Sequence, residues 1–414
     1  MSRLAIKGGE AVCRLENWPR WPMFDKAEED QLIETLRSHN WGGYPSPNTK
    51  AREFAAAFAK YQDAAYGVCC ANGSLTMDAA LRAAGVKAGD EVIVPTYTWL
   101  ATAGCAVFTN AVPVFVDINP DDYTIDVNLV EAAITPRSRF VIPVHLGSSI
   151  ADLDRLKEIC KKHDLILIED CAHAHGAKWR GKGVGSHGDF GSFSFQSSKL
   201  MTAGEGGMIL TSNKEYEEKL QSVVNCGRKE WGYDSFEGRV FGNNYRISDL
   251  QAAVLLGQMS RLEKVTLMRQ DAAAYLTEEL GKIEGISTLK RDERATTKAH
   301  YQYVFRYNPE GFKGLHRDRF LEALMAEGVV LDGDFYEPIQ ARDIFSPPLD
   351  QFPMLKDRYP NGITAEVAHT PVAHKAAYHE ALWMHYPYLM KGREGVDTII
   401  AAIRKIQENV DELL

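Results

Sequence analysis

Four features of this chain carry side chains or backbone geometry able to do chemistry, and they lie far apart in sequence. The first is Lys199, within the stretch 191–207, GSFSFQSSKLMTAGEGG. Alternation in a strand puts Phe193 and Phe195 on one face and Ser192 and Ser194 on the other, so the rings can enter a core while Ser194 faces a cavity. Lys199 follows among apolar and small residues, and partial burial is the condition that makes a lysine amine nucleophilic near neutral pH. The second is Asp170, which ends the apolar run 165–170, LILIED. Strand neighbours face opposite ways, so Glu169 and Asp170 cannot both enter one site, and one of them is structural. The third is Gly73-Ser74, where the apolar run 66–71 passes into a helical pattern; the free N–H groups of a helix start suit a phosphate. The fourth is Trp99, just past the apolar run 91–95, a plate able to stack on a flat ring or to fill a core.

Pyridoxal phosphate is the cofactor that calls for such a set. Lys199 would form the Schiff base, and Asp170 would keep the pyridine nitrogen protonated so that the ring can accept electrons. Lowering a lysine from its ordinary pKa of about 10.4 by about three units costs roughly 4 kcal/mol, within what burial and nearby charge supply. The spacing His173-x-His175 also invites a metal reading, but a tetrahedral site needs further ligands at fitting spacings and none stands out. No metal is expected; these histidines read as buried side chains or as contacts to a polar ligand.

The elements that must position these residues follow from the pattern. The chain has 414 residues, 45% hydrophobic and 25% charged, enough for a large core. Apolar runs alternating with amphipathic stretches predict an α/β fold: a mainly parallel sheet with helices on both faces, ligands lying off the carboxyl ends of its strands. A large domain is expected over 1–270, with an N-terminal arm, and a smaller α+β domain over 271–414. Further expectations are a helix over 25–38 with Leu32, Ile33 and Leu36 on one side, a capping box at Ser149 opening the next helix, and a second at Ser248 opening a long helix that leaves the large domain. Beyond it the pattern predicts a strand over 300–307, a helix over 318–326, a strand over 329–331 and a final helix over 396–413. The proline-rich segment 335–372 is read as a loop over the site, part of it an irregular wrap.

A net charge of −9 without a basic block argues against a nucleic-acid surface and for a small-molecule partner. Seven scattered cysteines without a C-x-x-C pair fit a reducing compartment, and no apolar run approaches membrane-spanning length, so a cytoplasmic protein is expected.

Taken together, Gly73-Ser74, Pro95-x-x-Thr98-Trp99, Glu169-Asp170-x-Ala172, Phe193-Ser-Phe195, Lys199-x-x-Thr202-x-Gly-Glu-Gly-Gly207 and Gly242-Asn-Asn-Tyr-Arg246 resemble the DegT/StrS family of pyridoxal-phosphate-dependent sugar aminotransferases over nearly the whole chain. The resemblance implies the type I fold of pyridoxal-phosphate enzymes and a homodimer with shared active sites. It further implies that Lys199 and Asp170 are catalytic, that Trp99 stacks on the ring and that His173 lies near the ring hydroxyl. Gly73, Ser74 and Ser194 would hold the phosphate, with Leu75 contributing its backbone where a small hydroxylic residue is common, and Asn244 would reach in from the second subunit. Tyr44, Tyr336 and His385 stand as candidate substrate contacts. Similarity around 303–315 leans toward the enzymes that aminate keto-cyclitols, which implies ping-pong transfer from glutamine or glutamate to a keto-cyclitol or keto-sugar, as in aminoglycoside biosynthesis. A nucleotide-linked keto-sugar aminotransferase, a synthase of 3-amino-5-hydroxybenzoate and a non-enzymatic pyridoxal-phosphate-binding regulator are the alternatives.

Overall fold

The structure, a computed structural model, describes residues 3–44 and 48–414. Seven strands, β1 Tyr66–Cys70, β2 Glu91–Pro95, β3 Val112–Val116, β4 Ser138–Val141, β5 Ile166–Asp170, β6 Phe190–Ser194 and β7 Gly207–Thr211, form one sheet in the order β1-β7-β6-β5-β4-β2-β3. Only β7 runs against its neighbours. Its reversal makes the connection from β6 to β7 a hairpin at the carboxyl rim of the parallel strands, and that hairpin carries Lys199.

Both faces of the sheet are buried, as the continuous apolar runs require. Two helices, α1 Lys26–Arg37 and α2 Thr49–Tyr61, precede the sheet; Val92, Val94, Phe140, Ile168 and Ile209 pack on one of its faces against α3 Gly73–Ala83, with α4 Ala101–Phe108 and a later helix, Lys214–Val224, on the same side. Ile93, Val141 and Leu167 alternate to the other face, under Leu156 and Ile159 of the helix Leu153–His163. Further along that face Phe193 and Met208 meet Phe54 and Phe58 of the helix Thr49–Tyr61.

The helix opened by the Ser248 capping box spans Asp249–Leu280; Leu255 and Leu262 lie in the large core, while Leu276 and Leu280 lie in the core of the C-terminal unit. That unit has a three-stranded antiparallel sheet, β8 Ile286–Thr288, β9 Gln302–Tyr307 and β10 Ala381–His385, covered by the helices Arg317–Ala326 and Gly392–Glu408. Leu4 of the N-terminal arm is buried in the same core.

Several expectations are corrected. The helix after β4 starts later than Ser149: Asp152 is its cap, accepting the Arg155 N–H at 3.2 Å, while the Ser149 amide closes a turn onto Leu146 O. Residues 329–331 form no strand: the Val329 N–H closes back onto Leu324 O at the end of the preceding helix, Tyr388 Oη accepts the Val330 N–H, and just before them the Trp18 indole N–H bonds Gly328 O. Only Asp332 bridges, to Trp383. The final helix ends at Glu408 and is followed by a 3-10 turn over Val410–Glu412.

The first helix, Lys26–Arg37, docks through Glu28 and Thr35, leaving Ile33 and Leu36 exposed. Gly257 allows the close approach, since a Cβ there would lie 2.8 Å from the Glu28 N. Segment 335–372 is mostly a wrap over the large domain: Ile339, Phe345, Leu355, Tyr359 and Ile363 are buried beside Val92 and Phe115, and its two ends, Phe335 and Tyr336 at the start and Val372 at the close, reach the aromatic cluster around Trp383.

Glu169 is the structural member of the carboxylate pair. Fully buried, it accepts the backbone N–H groups of Gly185, His187 and Gly188 and the Nε2–H of His145, whose Nδ1 accepts from Ala151 N. Burial opposes its ionisation, but the hydrogen bond and charge of His145, His187 and the Gly185 amide together outweigh it and hold the carboxyl below its usual range. Glu169→Ala strands four buried donors and is expected to destabilise the protein by about 3–5 kcal/mol in urea unfolding. Because the folded pKa is depressed, the wild-type advantage should be present above about pH 4 and fade as pH falls through the folded value.

Candidate active site

The carboxyl ends of β2, β5 and β6 and the hairpin beyond β6 gather the chemically able residues on one rim. Lys199 is half-buried; its backbone N–H closes a turn onto Gln196 O, and its Nζ stands 4.4 Å from the ring centroid of Tyr301. Burial pushes its amine down to about 8, against the upward pull of the Asp170 carboxylate. At neutral pH such an amine keeps both protonation states within reach.

Asp170 leaves β5 on the side opposite Glu169. Its Oδ2 accepts from Thr102 Oγ1 at 3.0 Å and its Oδ1 from Ala172 N at 3.1 Å, and no salt bridge reaches it among the described residues. Burial raises its carboxyl, opposed by those hydrogen bonds and by the charge of Lys199.

His173 is buried and neutral, since burial and then the Lys199 charge push it well below the ordinary histidine range. Its Nδ1 accepts the Gly147 N–H at 3.2 Å, which leaves the proton on Nε2 to donate to the Tyr336 hydroxyl at 3.2 Å. Its ring stacks on Tyr301 with centroids 4.1 Å apart, and His385 meets Tyr301 edge-on at 6.1 Å. Phe193 and Phe195 are buried as their alternation required, and Ser194 turns to the face of α3. There Gly73 comes so close that any Cβ on it would lie 2.5 Å from Ser194 Cβ, and Asn72 caps α3 by accepting the Leu75 N–H. Gly207 is equally confined, its would-be Cβ 2.5 Å from Asn72 O, so the glycine turn serves to bring these backbones together.

Thus Lys199, Asp170, His173, Tyr336 and His385 share one cluster, Gly73 and Ser194 touch beside it, and Trp99 stands half-exposed on the turn that follows β2. Ser74 is exposed at the first turn of α3, and Leu75 packs against the large core. Tyr44 and Asn244 lie apart: the Tyr44 ring is covered by the Arg228 guanidinium at 4.3 Å, and Asn244 is exposed on a loop bridged to Asn225. His175 points into the aromatic core and meets Ser194 O through Nε2 at 2.8 Å. His145, Glu169 and Cys171 bring donor atoms within 4.8 Å of one another, but the hydrogen bonds already described occupy the histidine nitrogens and the carboxylate.

Two contributors were missed. Tyr301 reads in sequence as one position of an alternating strand, yet β9 starts only at Gln302, because His300 takes a left-handed conformation (φ 54°) just before it. Thr102 is an unremarkable residue in an alanine-rich helix; its only signal is a place one turn beyond Trp99.

A model of the DegT/DnrJ/EryC1/StrS aminotransferase family matches residues 22–404. The chain belongs to that family. It is 47% identical over 414 residues to the putative L-glutamine:3-amino-2,3-dideoxy-scyllo-inosose aminotransferase of Streptoalloteichus tenebrarius, covering 100% of this chain and 99% of that one. The L-glutamine:scyllo-inosose aminotransferase of Streptomyces griseus is 36% identical, with 100% and 99% covered. Among solved structures, 3-amino-5-hydroxybenzoic acid synthase superposes with a TM-score of 0.80 at 30% identity, over 97% of this chain and 100% of that one. The chain is therefore an aminotransferase of the type I fold, and its cofactor is pyridoxal phosphate.

The residues present fit that group. Asp170 is a buried carboxylate held only by uncharged donors, which a protonated ring nitrogen complements, and the Gly73–Ser194 approach forms a cradle that a single methyl group would fill. Since Asp170 is the charge that raises the Lys199 amine, Asp170→Asn should move its titration midpoint below about 8. NMR of isotopically methylated lysines in the cofactor-free protein reads this shift; an unchanged midpoint would separate the two groups electrostatically.

Proposed function

We propose that this enzyme moves the amino group of L-glutamine or glutamate to the ketone of a cyclitol, by ping-pong transamination on a route to amino-cyclitols of the aminoglycoside kind. The observation that carries this reading is similarity over the full length of both chains to a glutamine:keto-cyclitol aminotransferase at 47% identity, against 30% for the structurally similar synthase.

Bound pyridoxal phosphate supplies an aldehyde for amines and a ring that draws electrons from the substrate carbon. Lys199 would hold the aldehyde at rest and, when free, carry the proton between substrate atoms; an amine near pKa 8 accepts and returns a proton at neutral pH with little penalty either way. Asp170, fixed by Thr102 and the Ala172 amide, would pair with the ring nitrogen and keep its proton in place. Trp99, half-exposed beside the rim, would cover one ring face. The N–H groups of Gly73 and Ser74 and the Ser194 hydroxyl would take the phosphate; Leu75 has given its amide to the Asn72 cap. His173, neutral and anchored by Gly147, holds the Tyr336 hydroxyl where the two would meet the cofactor or the substrate, with His385 as a further substrate contact; Tyr44, apart from this cluster within one chain, would reach a substrate only from a second copy.

Two copies would complete the site, with Asn244 reaching the partner's cofactor. Exposed Ile33 and Leu36 on the first helix, together with Trp41, Trp231 and Phe241, support a covered surface there. The large domain, 1–270 with the wrap of 335–372 on its core, would hold the cofactor, and the rest of 271–414, joined by Leu4 of the arm, would frame the substrate. A reducing cytoplasmic location is supported by seven unpaired cysteines, and no helix of the described residues is long and apolar enough to cross a membrane.

The purified holoenzyme should be yellow and lose that colour with L-glutamine, and Lys199→Ala should lower turnover by at least about 10²–10⁴-fold. After the donor step, acceptors are offered in turn: recovery of colour with keto-cyclitols is expected. Recovery only with a nucleotide-linked keto-sugar would replace the acceptor class, and failure to accept any amine would favour the regulator.

A further inference from the structure

Tyr301 is the side chain closest in role to Lys199 that neither the motif pattern nor any assigned function explains. Its ring is fixed on several sides: the hydroxyl meets Ser198 Oγ at 2.8 Å, His173 stacks at 4.1 Å, and Tyr386 lies 6.1 Å away, itself bonded to the Lys199 carbonyl at 3.3 Å. Ser198 is in turn held by the Gln196 side-chain oxygen at 2.7 Å. A ring so clamped cannot swing away, and it presents its π-face 4.4 Å from Lys199 Nζ. An ammonium is attracted to such a face much more strongly than a neutral amine.

We propose that Tyr301 is a positioning residue, whose ring face receives the Lys199 ammonium during the part of the cycle when that amine is free of the cofactor. The inference rests on the reading of Lys199 as the reacting amine. On that reading the neutral Lys199 amine, when free, would take the proton from the substrate carbon: the C–H bond would break with its electron pair left to the substrate and the electron-drawing group that the cofactor supplies, and an N–H bond would form on Lys199. The resulting ammonium must wait, oriented, until it returns the proton to another atom. Desolvation alone would favour losing that proton to the surroundings, and the ring opposes it. The other groups around Lys199 are the Asp170 carboxylate, which also favours the ammonium, the histidines 173, 175 and 385, neutral through burial, and the Tyr386 phenol. Tyr301 is thus the contribution that a substitution can remove without altering a formal charge.

The test is competitive acylation of the full-length protein with acetic anhydride from pH 6 to 11, the Lys199 peptide being quantified against other lysines by mass spectrometry. Without pyridoxal phosphate, Tyr301→Phe should keep the wild-type midpoint, whereas Tyr301→Leu should lower it by about 0.5–1 pH unit, the loss of one partly desolvated cation–π contact. An unchanged midpoint in Tyr301→Leu, or an equal fall in Tyr301→Phe, would overturn the inference. Should the leucine variant fail to fold, a series of ring-fluorinated phenylalanines at 301 keeps the shape and weakens the π-face stepwise; the midpoint must then fall with each fluorine, and a flat series overturns it. A parallel arm with pyridoxal phosphate added should protect Lys199 in wild type. Labelling that ignores the cofactor would defeat the reading of Lys199 itself, while the cofactor-free titration still judges Tyr301.

Discussion

Two carboxylates in succession at the end of a strand buried on both sides create an electrostatic problem, and the architecture around the site is its solution. Neither can reach bulk water, and isolated charge in such a place is costly. Glu169 is answered from within by His145 and by three amides of the 185–188 turn, which ties that turn to the sheet. Asp170, facing the other way, receives only a hydroxyl and one amide, so its charge is left for a ligand to complement. The same sheet therefore contains, in adjacent positions separated by the alternation of the strand, one acid fully answered from within and one left open to a ligand.

Topology completes the arrangement. Because β7 runs antiparallel to β6, Lys199 is delivered on a hairpin at the rim where β5 and β2 end, instead of being carried away by a crossover helix. Gly207 pairs with Ser194 across that hairpin and packs on Asn72, which brings the start of α3 to the same place. Lysine, aspartate and the helix start thus lie at one rim because three backbones approach more closely than any side chain at Gly73 or Gly207 would permit.

How much of this was legible depended on whether local pattern or distant contact decided the outcome. Lys199, Asp170 and the Phe193/Phe195 alternation could be read because residue type and strand period settle them. The Ser248 cap was readable for the same reason, both its partners lying within one turn. Position 149 misled, since a turn closed by Leu146 consumed the amide and Asp152 took the cap. Residues 329–331 have strand composition, but Tyr388 and Trp18 from remote segments occupy their neighbourhood. Tyr301 depended on a single backbone angle at His300, for which period-two reasoning has no term. The stripe on the first helix was correctly apolar yet points to solvent in the single chain, because Glu28 with Gln258 and Arg261 makes the intramolecular contact.

The wrap over 335–372 has a consequence for the behaviour of the chain in solution. β3 ends the large sheet, and an edge strand as apolar as Val112–Val116 offers unpaired backbone groups to any other strand. Tyr359 bonds Pro113 O at 2.6 Å, and its ring and that of Phe345 lie against Phe115, so the irregular segment shields this edge without adding a strand that would itself need covering. What looks like surplus loop is a guard against edge-to-edge aggregation, and changes that loosen it should endanger solubility and yield before they touch the chemistry at the rim.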